Sequence, residues 1–188
     1  GSVTTGIDGE TLTISGLTGT FNSKDVKYAN KVTVDHSKVS VTGNDSTNVN
    51  NYTLVYPESV TGSITPKTVK LQWKNTSLTY NGKEQLPTAT VNNLVDGDKC
   101  EITVDGAQHK NVGTYKDAAK ATKVSNKNYK LPENVTTSYT IKPKDITVTI
   151  TPNGGTYGEK ITGATAKLND VENGDHPKVT LTYTGTGY

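Results

Sequence analysis

The sequence predicts an all-β protein built of tandem small antiparallel β-sandwich modules of immunoglobulin-like type. Three observations carry this reading. Apolar and polar residues alternate with period two through most of the chain. The alternating runs are rich in β-branched residues, which suit a pleated, half-buried surface, and clusters of Gly, Asn and Asp separate them. Finally, the chain resembles itself at a fixed spacing, the mark of a repeat architecture.

The strand candidates follow in chain order. Leu12 and Ile14, Val32 and Val34, and Val39 and Val41 give short alternations. Val69, Leu71 and Trp73 then oppose Lys70, Gln72 and Lys74. Cys100, Ile102 and Val104 alternate with Lys99, Glu101 and Thr103, and Ile146, Val148 and Ile150 with Thr147 and Thr149. Val179, Leu181 and Tyr183 close the series. Asn81-Gly82, Asp96-Gly97-Asp98 and Asn173-Gly174-Asp175 read as turns. One-sided alternation means one buried and one wet face, as in antiparallel sheets. The alanine-rich stretch Lys116–Val124 supports an alternative, a compact β-grasp-like α+β module with this stretch as its helix.

The repeat spacing is 77 residues, from Pro66 to Pro143. Ser63-Ile64-Thr65-Pro66-Lys67 matches Thr140-Ile141-Lys142-Pro143-Lys144, and Asn51-Tyr52-Thr53-Leu54 matches Asn128-Tyr129-Lys130-Leu131. Thr79-Tyr80 matches Thr156-Tyr157, Lys83 matches Lys160, Ala89 matches Ala166, Leu94 matches Val171, and Gly97-Asp98 matches Gly174-Asp175. Residues 64–140 form a complete unit, 1–63 the C-terminal part of a preceding one, and 141–188 the N-terminal part of a further one. Residues 1–63 also carry an insertion around Val41–Val49. The two partial units are complementary in kind, and the reading extends to head-to-tail association between chains.

Composition excludes several classes. Net charge is +2, and every one of the 20 basic residues is lysine; near-balanced charge without arginine argues against nucleic acid, and no nucleic acid partner is expected. The single cysteine leaves no intramolecular disulfide and no Cys-rich zinc site. No apolar run reaches the length of a membrane span, so no membrane insertion is expected of this segment. With 31% hydrophobic residues the core is sparse. Small units with sparse cores have little stability margin, so neighbouring repeats are the first expected partners.

Thr-Tyr-Asn-Gly-Lys at 79–83, Asp-Gly-Asp at 96–98, Val-Gly-Thr-Tyr at 112–115, Asn-Tyr-Lys-Leu at 128–131 and Tyr-Thr-Ile-Lys-Pro-Lys at 139–144 together resemble the MBG family of bacterial surface repeats. Thr-Tyr-Gly at 156–158 and Asn-Gly-Asp at 173–175 resemble its YGX type. Residues 1–63 resemble the end of a YDG-type repeat, through Asn51-Tyr52-Thr53-Leu54 and the closing Ile64-Thr65-Pro66-Lys67; the Tyr-Asp-Gly that names the type is absent. The resemblance implies tandem modules of a secreted or wall-anchored, adhesin-like protein at the bacterial cell surface. It brings no catalytic residues and no ligand site.

The chemistry-bearing residues read mostly as structure. His36, His109 and His176 share no repeat position and no metal-ligand spacing, so they are expected to face solvent in loops. Cys100 falls on the face of Ile102 and Val104 and is expected in the core. Asp96, Asp98 and Asp175 suit either a calcium ion at a module junction or plain turns; the EF-hand pattern is absent and the turn is favoured. Trp73 aligns with Ile150 and is assigned to the core rather than to a sugar-stacking platform. Tyr80 and Tyr157 recur as structural plugs, and Tyr115 has the placement of a tyrosine corner. Tyr28, Tyr56, Tyr183 and Tyr188 are least tied to the repeat and are the first aromatics to consider for a ligand. No lysine–asparagine spacing singles out an intramolecular isopeptide bond, and the sequons at Asn44, Asn51, Asn75 and Asn134 are attributed to composition. No nucleophile–base pair or paired carboxylates stand out, so no enzyme and no cofactor are expected. Two functions stay open: a stalk or spacer, and a module that binds host mucin, another glycan, or a host protein such as immunoglobulin.

Overall fold

The computed structural model describes residues 1–158 and 163–182. Lys160, Tyr183 and Tyr188, singled out above, lie outside the described residues. The chain is all-β, with strands β1 Ser2–Thr4, β2 Thr11–Ser15, β3 Thr18–Phe21, β4 Lys31–Asp35, β5 Ser40–Gly43, β6 Ser59–Thr61, β7 Lys67–Thr68 and β8 Leu71–Lys74. They continue as β9 Ser77–Thr79, β10 Thr88–Val91, β11 Ile102–Gly106, β12 Gly113–Val124, β13 Tyr129–Lys130, β14 Thr136–Lys142, β15 Thr147–Pro152 and β16 Ala164–Asn169. The sheets are small and mostly antiparallel; the pairs β7–β13 and β9–β14 run parallel. Two compact units form: Gly1–Thr68 with Asn126–Lys130, and Val69–Ser125 with Leu131–Tyr188.

The first unit holds two antiparallel sheets, β1–β2–β5 and β3–β4–β6. Leu12, on β2, is buried, as is Ala29 before β4. The insertion is part of the structure rather than a loose loop. It supplies β5, which pairs Ile14 with Val41 and Leu12 with Gly43. Beyond β5 the Asn44 amide donates to the Gly9 carbonyl at 2.8 Å, and the Thr47 hydroxyl accepts from the Thr11 amide at 2.9 Å. The Asn48 side chain then caps a 3-10 turn, Val49–Asn51, by accepting from the Asn50 N–H. The segment 126–130 completes this unit. Asn128 accepts from the Val26 N–H at 2.9 Å and donates to Asp25 at 2.8 Å.

In the second unit, β8 and β10 form an antiparallel pair with Leu71 opposite Val91 and Trp73 opposite Ala89. A four-stranded sheet follows in the order β11–β12–β14–β9. The core is Ala119, Tyr139 and Ile141, with Trp73, Leu78, Tyr80, Leu86, Val104, Tyr115 and Ala118 packed against it. Trp73 is therefore a core-facing residue, as its alternation predicts. The α+β alternative fails at the stretch Lys116–Val124, which is strand throughout. Its backbone bonds β11 on one side and β14 on the other, and this pairing overrides the helix propensity of alanine. Ala119 and Ala121 are buried, and Ala119 is small where the Trp73 ring packs against the core.

The pair β15–β16 reproduces β8–β10 at the repeat spacing. Val148 faces Leu168 as Leu71 faces Val91, and Ile150 faces Ala166 as Trp73 faces Ala89. The burial does not repeat. Val69 is 1% exposed, whereas its counterpart Ile146 is 40% exposed; Val148 and Ile150 reach 50% and 58%. The expected buried face of this strand is thus open, because among the described residues no layer covers it as Ala119, Tyr139 and Ile141 cover Trp73. The predicted strand at Val179 and Leu181 is also absent. Alternation alone does not make a strand without a partner backbone to bond.

Trp73 is the sole tryptophan and reports on this core. Ile141→Ala is expected to lower the stability of the second unit by about 2–5 kcal/mol, the usual cost of such a truncation at a fully buried site. Urea unfolding followed by Trp73 fluorescence measures it.

Candidate functional site

A gathering of polar side chains in a concave place lies within the second unit, where the second repeat meets the third. A cleft of about 480 Å³ is lined by Tyr80, Lys144, Ile146, Val171, Glu172, Gly174, Asp175, His176 and Pro177. Tyr80 follows β9 and is held by the core packing of its ring. Its backbone N–H also donates to the Lys142 carbonyl at 2.9 Å, continuing the parallel β9–β14 ladder. Glu172 and Asp175 come from a four-residue turn closed by the Asp175 N–H to the Glu172 carbonyl at 3.0 Å. Gly174 occupies the left-handed position of that turn, φ +96°, where a side chain is disfavoured. The same turn occurs 77 residues earlier, from Val95 to Asp98, with Gly97 at φ +82°.

The cleft groups satisfy one another. The Tyr80 hydroxyl donates to Asp175 at 2.6 Å, Lys144 Nζ pairs with Glu172 at 2.5 Å, and Lys110 lies 4.0 Å from Asp175. The hydrogen bond to Asp175 pushes the Tyr80 hydroxyl pKa above its ordinary value, with help from burial and the charges of Asp175 and Glu172. Lys144 is legible in the sequence as part of the recurring Ile-x-Pro-Lys punctuation. Its partner Glu172 is not, because the equivalent position of the preceding repeat is Val95. The arrangement can hold two repeats together; it presents no nucleophile beside a free base.

A second cluster is aromatic. His109 stacks on Tyr115 with ring centroids 3.7 Å apart and planes 2° from parallel, and Tyr139 lies tilted beside both. Backbone bonds between His109 and Gln85 position the imidazole. His109 is therefore half-buried in a ring stack, not a solvent-facing loop residue. The Tyr115 hydroxyl donates to the Asn111 carbonyl at 2.6 Å, the reach-back to upstream backbone that its placement predicts. The Tyr139 hydroxyl lies 3.1 Å from the carbonyls of both Gln85 and Ala107, and burial raises its pKa, assisted by Tyr115.

The other sequence candidates are dispersed. His36 is exposed and stacks on Tyr56 at 5.1 Å; His176 is exposed at the cleft rim. Cys100 is half-buried just ahead of β11 rather than deep in the core. Asp96 and Asp98 stay in the first of the two matched turns, and Asp175 is engaged by Tyr80 and Lys110. Among the described residues no three His, Cys, Asp or Glu side chains gather as metal ligands. Tyr80 plugs the core, but its counterpart Tyr157 is fully exposed. Tyr28 is exposed, with Lys27 over its ring at 5.0 Å. In the first unit a pocket of about 250 Å³ is lined by Leu12, Val41, Val49, Tyr52, Leu54 and Tyr56. At its wall the Tyr52 hydroxyl donates to Glu10, which raises the pKa of Tyr52.

No family model matches the chain, and neither the curated proteins nor the solved structures give a match.

Two outcomes are expected here. Tyr115→Phe is expected to cost about 0.5–1.5 kcal/mol in urea unfolding, one intramolecular hydrogen bond. The Tyr80–Asp175 bond is expected to fail in alkali. The folded state holds the Tyr80 proton more tightly than the unfolded chain does. The contribution is therefore complete below the unfolded tyrosine value near pH 10 and is lost as pH rises through the raised folded value. Stability curves of the wild type and Tyr80→Phe are expected to converge above that range.

Proposed function

We propose that this chain is a non-catalytic, extracellular repeat region of an adhesin-like bacterial cell-surface protein, and that it serves as a stalk or spacer. The observation that carries the reading is the junction in the second unit. Tyr80 and Lys110 of one repeat engage Asp175 of the next, while Lys144 braces Glu172 on the same turn. A spacer must transmit position along its length, and cross-repeat bonds of this kind restrict bending where modules join. Each exposed ion pair adds only about 0–1 kcal/mol, so the effect rests on their number and on the shared turn. Thr-rich, lysine-only surfaces and the lack of methionine suit an oxidising exterior. The motif resemblance to MBG repeats supports the same assignment.

A second reading is a binding module for host mucin, another glycan, or a host protein such as immunoglobulin. The pocket of the first unit favours it. The insertion supplies Val41 and Val49 to its wall, Tyr52 and Tyr56 add amphipathic rings, and Tyr56 is one of the aromatics outside the repeat. Apolar faces with a polar rim suit a sugar ring or an aromatic side chain.

The two readings separate in one survey. The full chain is immobilised and exposed to mucin, arrayed glycans and serum immunoglobulin. The spacer reading expects no saturable binding. Saturable binding that Tyr56→Ala abolishes would replace it with the binding-module reading.

A further inference from the structure

We infer that the apolar face of the β15–β16 hairpin docks on the apolar face of the β3–β4–β6 sheet of a second copy of this chain, head to tail. The template is the second repeat itself. There the hairpin β8–β10 lays Trp73 against Ala119, Tyr139 and Ile141 of the facing sheet. The hairpin β15–β16 has the same strand register at the repeat spacing. One of its faces carries Val148, Ile150, Ala166 and Leu168, and the other Thr147, Thr149, Thr151, Lys167 and Asn169. Ala166 and Leu168 border a groove with Val171, Pro177 and Val179, while Val148 and Ile150 stay open.

The sheet β3–β4–β6 repeats the other layer. It pairs Phe21 with Val32 and Val32 with Val60, as the second unit pairs Gly106 with Ala119 and Ala119 with Thr137. Val60 and Thr137 stand at the repeat spacing, which fixes the correspondence of the two rows. Gly62 takes the place of Tyr139, and Phe21 with Val32 fills the space over it; a Cβ there would lie 2.8 Å from Val32 and 3.0 Å from the Phe21 ring. Phe21 is 39% and Val60 45% exposed.

The two open faces match in volume. In the second repeat a large Trp73 packs against Ala119, Tyr139 and Ile141, on a sheet whose paired row Gly106, Ala119 and Thr137 is small. Here the row is large, Phe21, Val32 and Val60, and the hairpin carries the smaller Ile150 at the position of Trp73. The loss of the Tyr139 ring at Gly62 and of the Trp73 ring at Ile150 together offset the larger row, so the summed volume across the layers stays similar, as close packing requires. The contact joins two different surfaces, so its symmetry is heterologous, leading to closed rings or open chains of copies.

Sedimentation velocity of the full chain from about 1 μM to about 1 mM, the span of weak protein contacts, tests this. The expected result is a weight-average mass that climbs above the 20.0 kDa monomer. One variant, Val148→Lys with Ile150→Lys, blocks the hairpin; another, Phe21→Lys with Val60→Lys, blocks the sheet. Each alone is expected to stay monomeric, and their equimolar mixture to double in mass, since each retains one free face. Circular dichroism checks folding, and Ile150→Thr with Phe21→Thr replaces the lysines if either variant unfolds. A wild type that stays monomeric throughout overturns the proposal. So does a blocked variant that still associates by itself, or a mixture that does not pair.

Discussion

A core whose large rings are mostly tyrosine sets the terms for this protein. The chain has one Trp, one Phe and no Met, against ten Tyr. Every tyrosine that goes inside takes a hydroxyl with it, and a buried hydroxyl without a partner is costly. Tyr139 meets this by lying within reach of two carbonyls, of Gln85 and Ala107, while its ring joins Ile141 and Ala119 in the core. The Gln85 carbonyl also accepts from the His109 N–H in the Gln85–His109 bridge, which sets the imidazole against Tyr115. Tyr115 then fixes the turn at Asn111 through its own hydroxyl. Packing and polar satisfaction are the same set of contacts here, so the second unit has few places that tolerate independent change.

The same economy governs the junction between repeats. Tyr80 buries its ring in one repeat and sends its hydroxyl to the next. A phenylalanine would fill the core as well but make no bond across the junction. The acceptor, Asp175, stands in a turn whose shape is repeated at 77 residues, while the bracing Glu172 belongs to one copy only. The repeat thus conserves geometry at the turn and varies the charges placed on it. Tyr157 illustrates the reverse case, a plug residue by sequence that stands exposed because no acceptor or core reaches it among the described residues.

Much of the fold was legible in the chain. Alternation located β2, β4, β5, β8, β11 and β15, and residues matched at 77 in the sequence, Trp73 with Ile150 and Ala89 with Ala166, stand at matching positions of the pairs β8–β10 and β15–β16. The reach-back of Tyr115 was legible too, because a tyrosine corner is a local device. Less was legible at the candidate site. The Lys144–Glu172 pair spans 28 residues and has no repeat equivalent, and His109 joins Tyr115 only because a bridge to Gln85 places it there. The insertion around Val41–Val49 opens on β5, paired with β2, and closes on the 3-10 turn Val49–Asn51; the Asn44 and Thr47 bonds that tie it to Gly9 and Thr11 span more than 30 residues and were not legible.

The sequence by itself determined that this chain is β, where several of its strands lie, and that its units repeat. These follow from local periodicity and turn chemistry, which act over a few residues. Tertiary structure alone decided which faces are covered. Val69 and Ile146 have the same pattern around them, yet one is buried and the other open. Alternation says that a strand has an apolar side; whether a second layer reaches that side depends on residues far away in the chain.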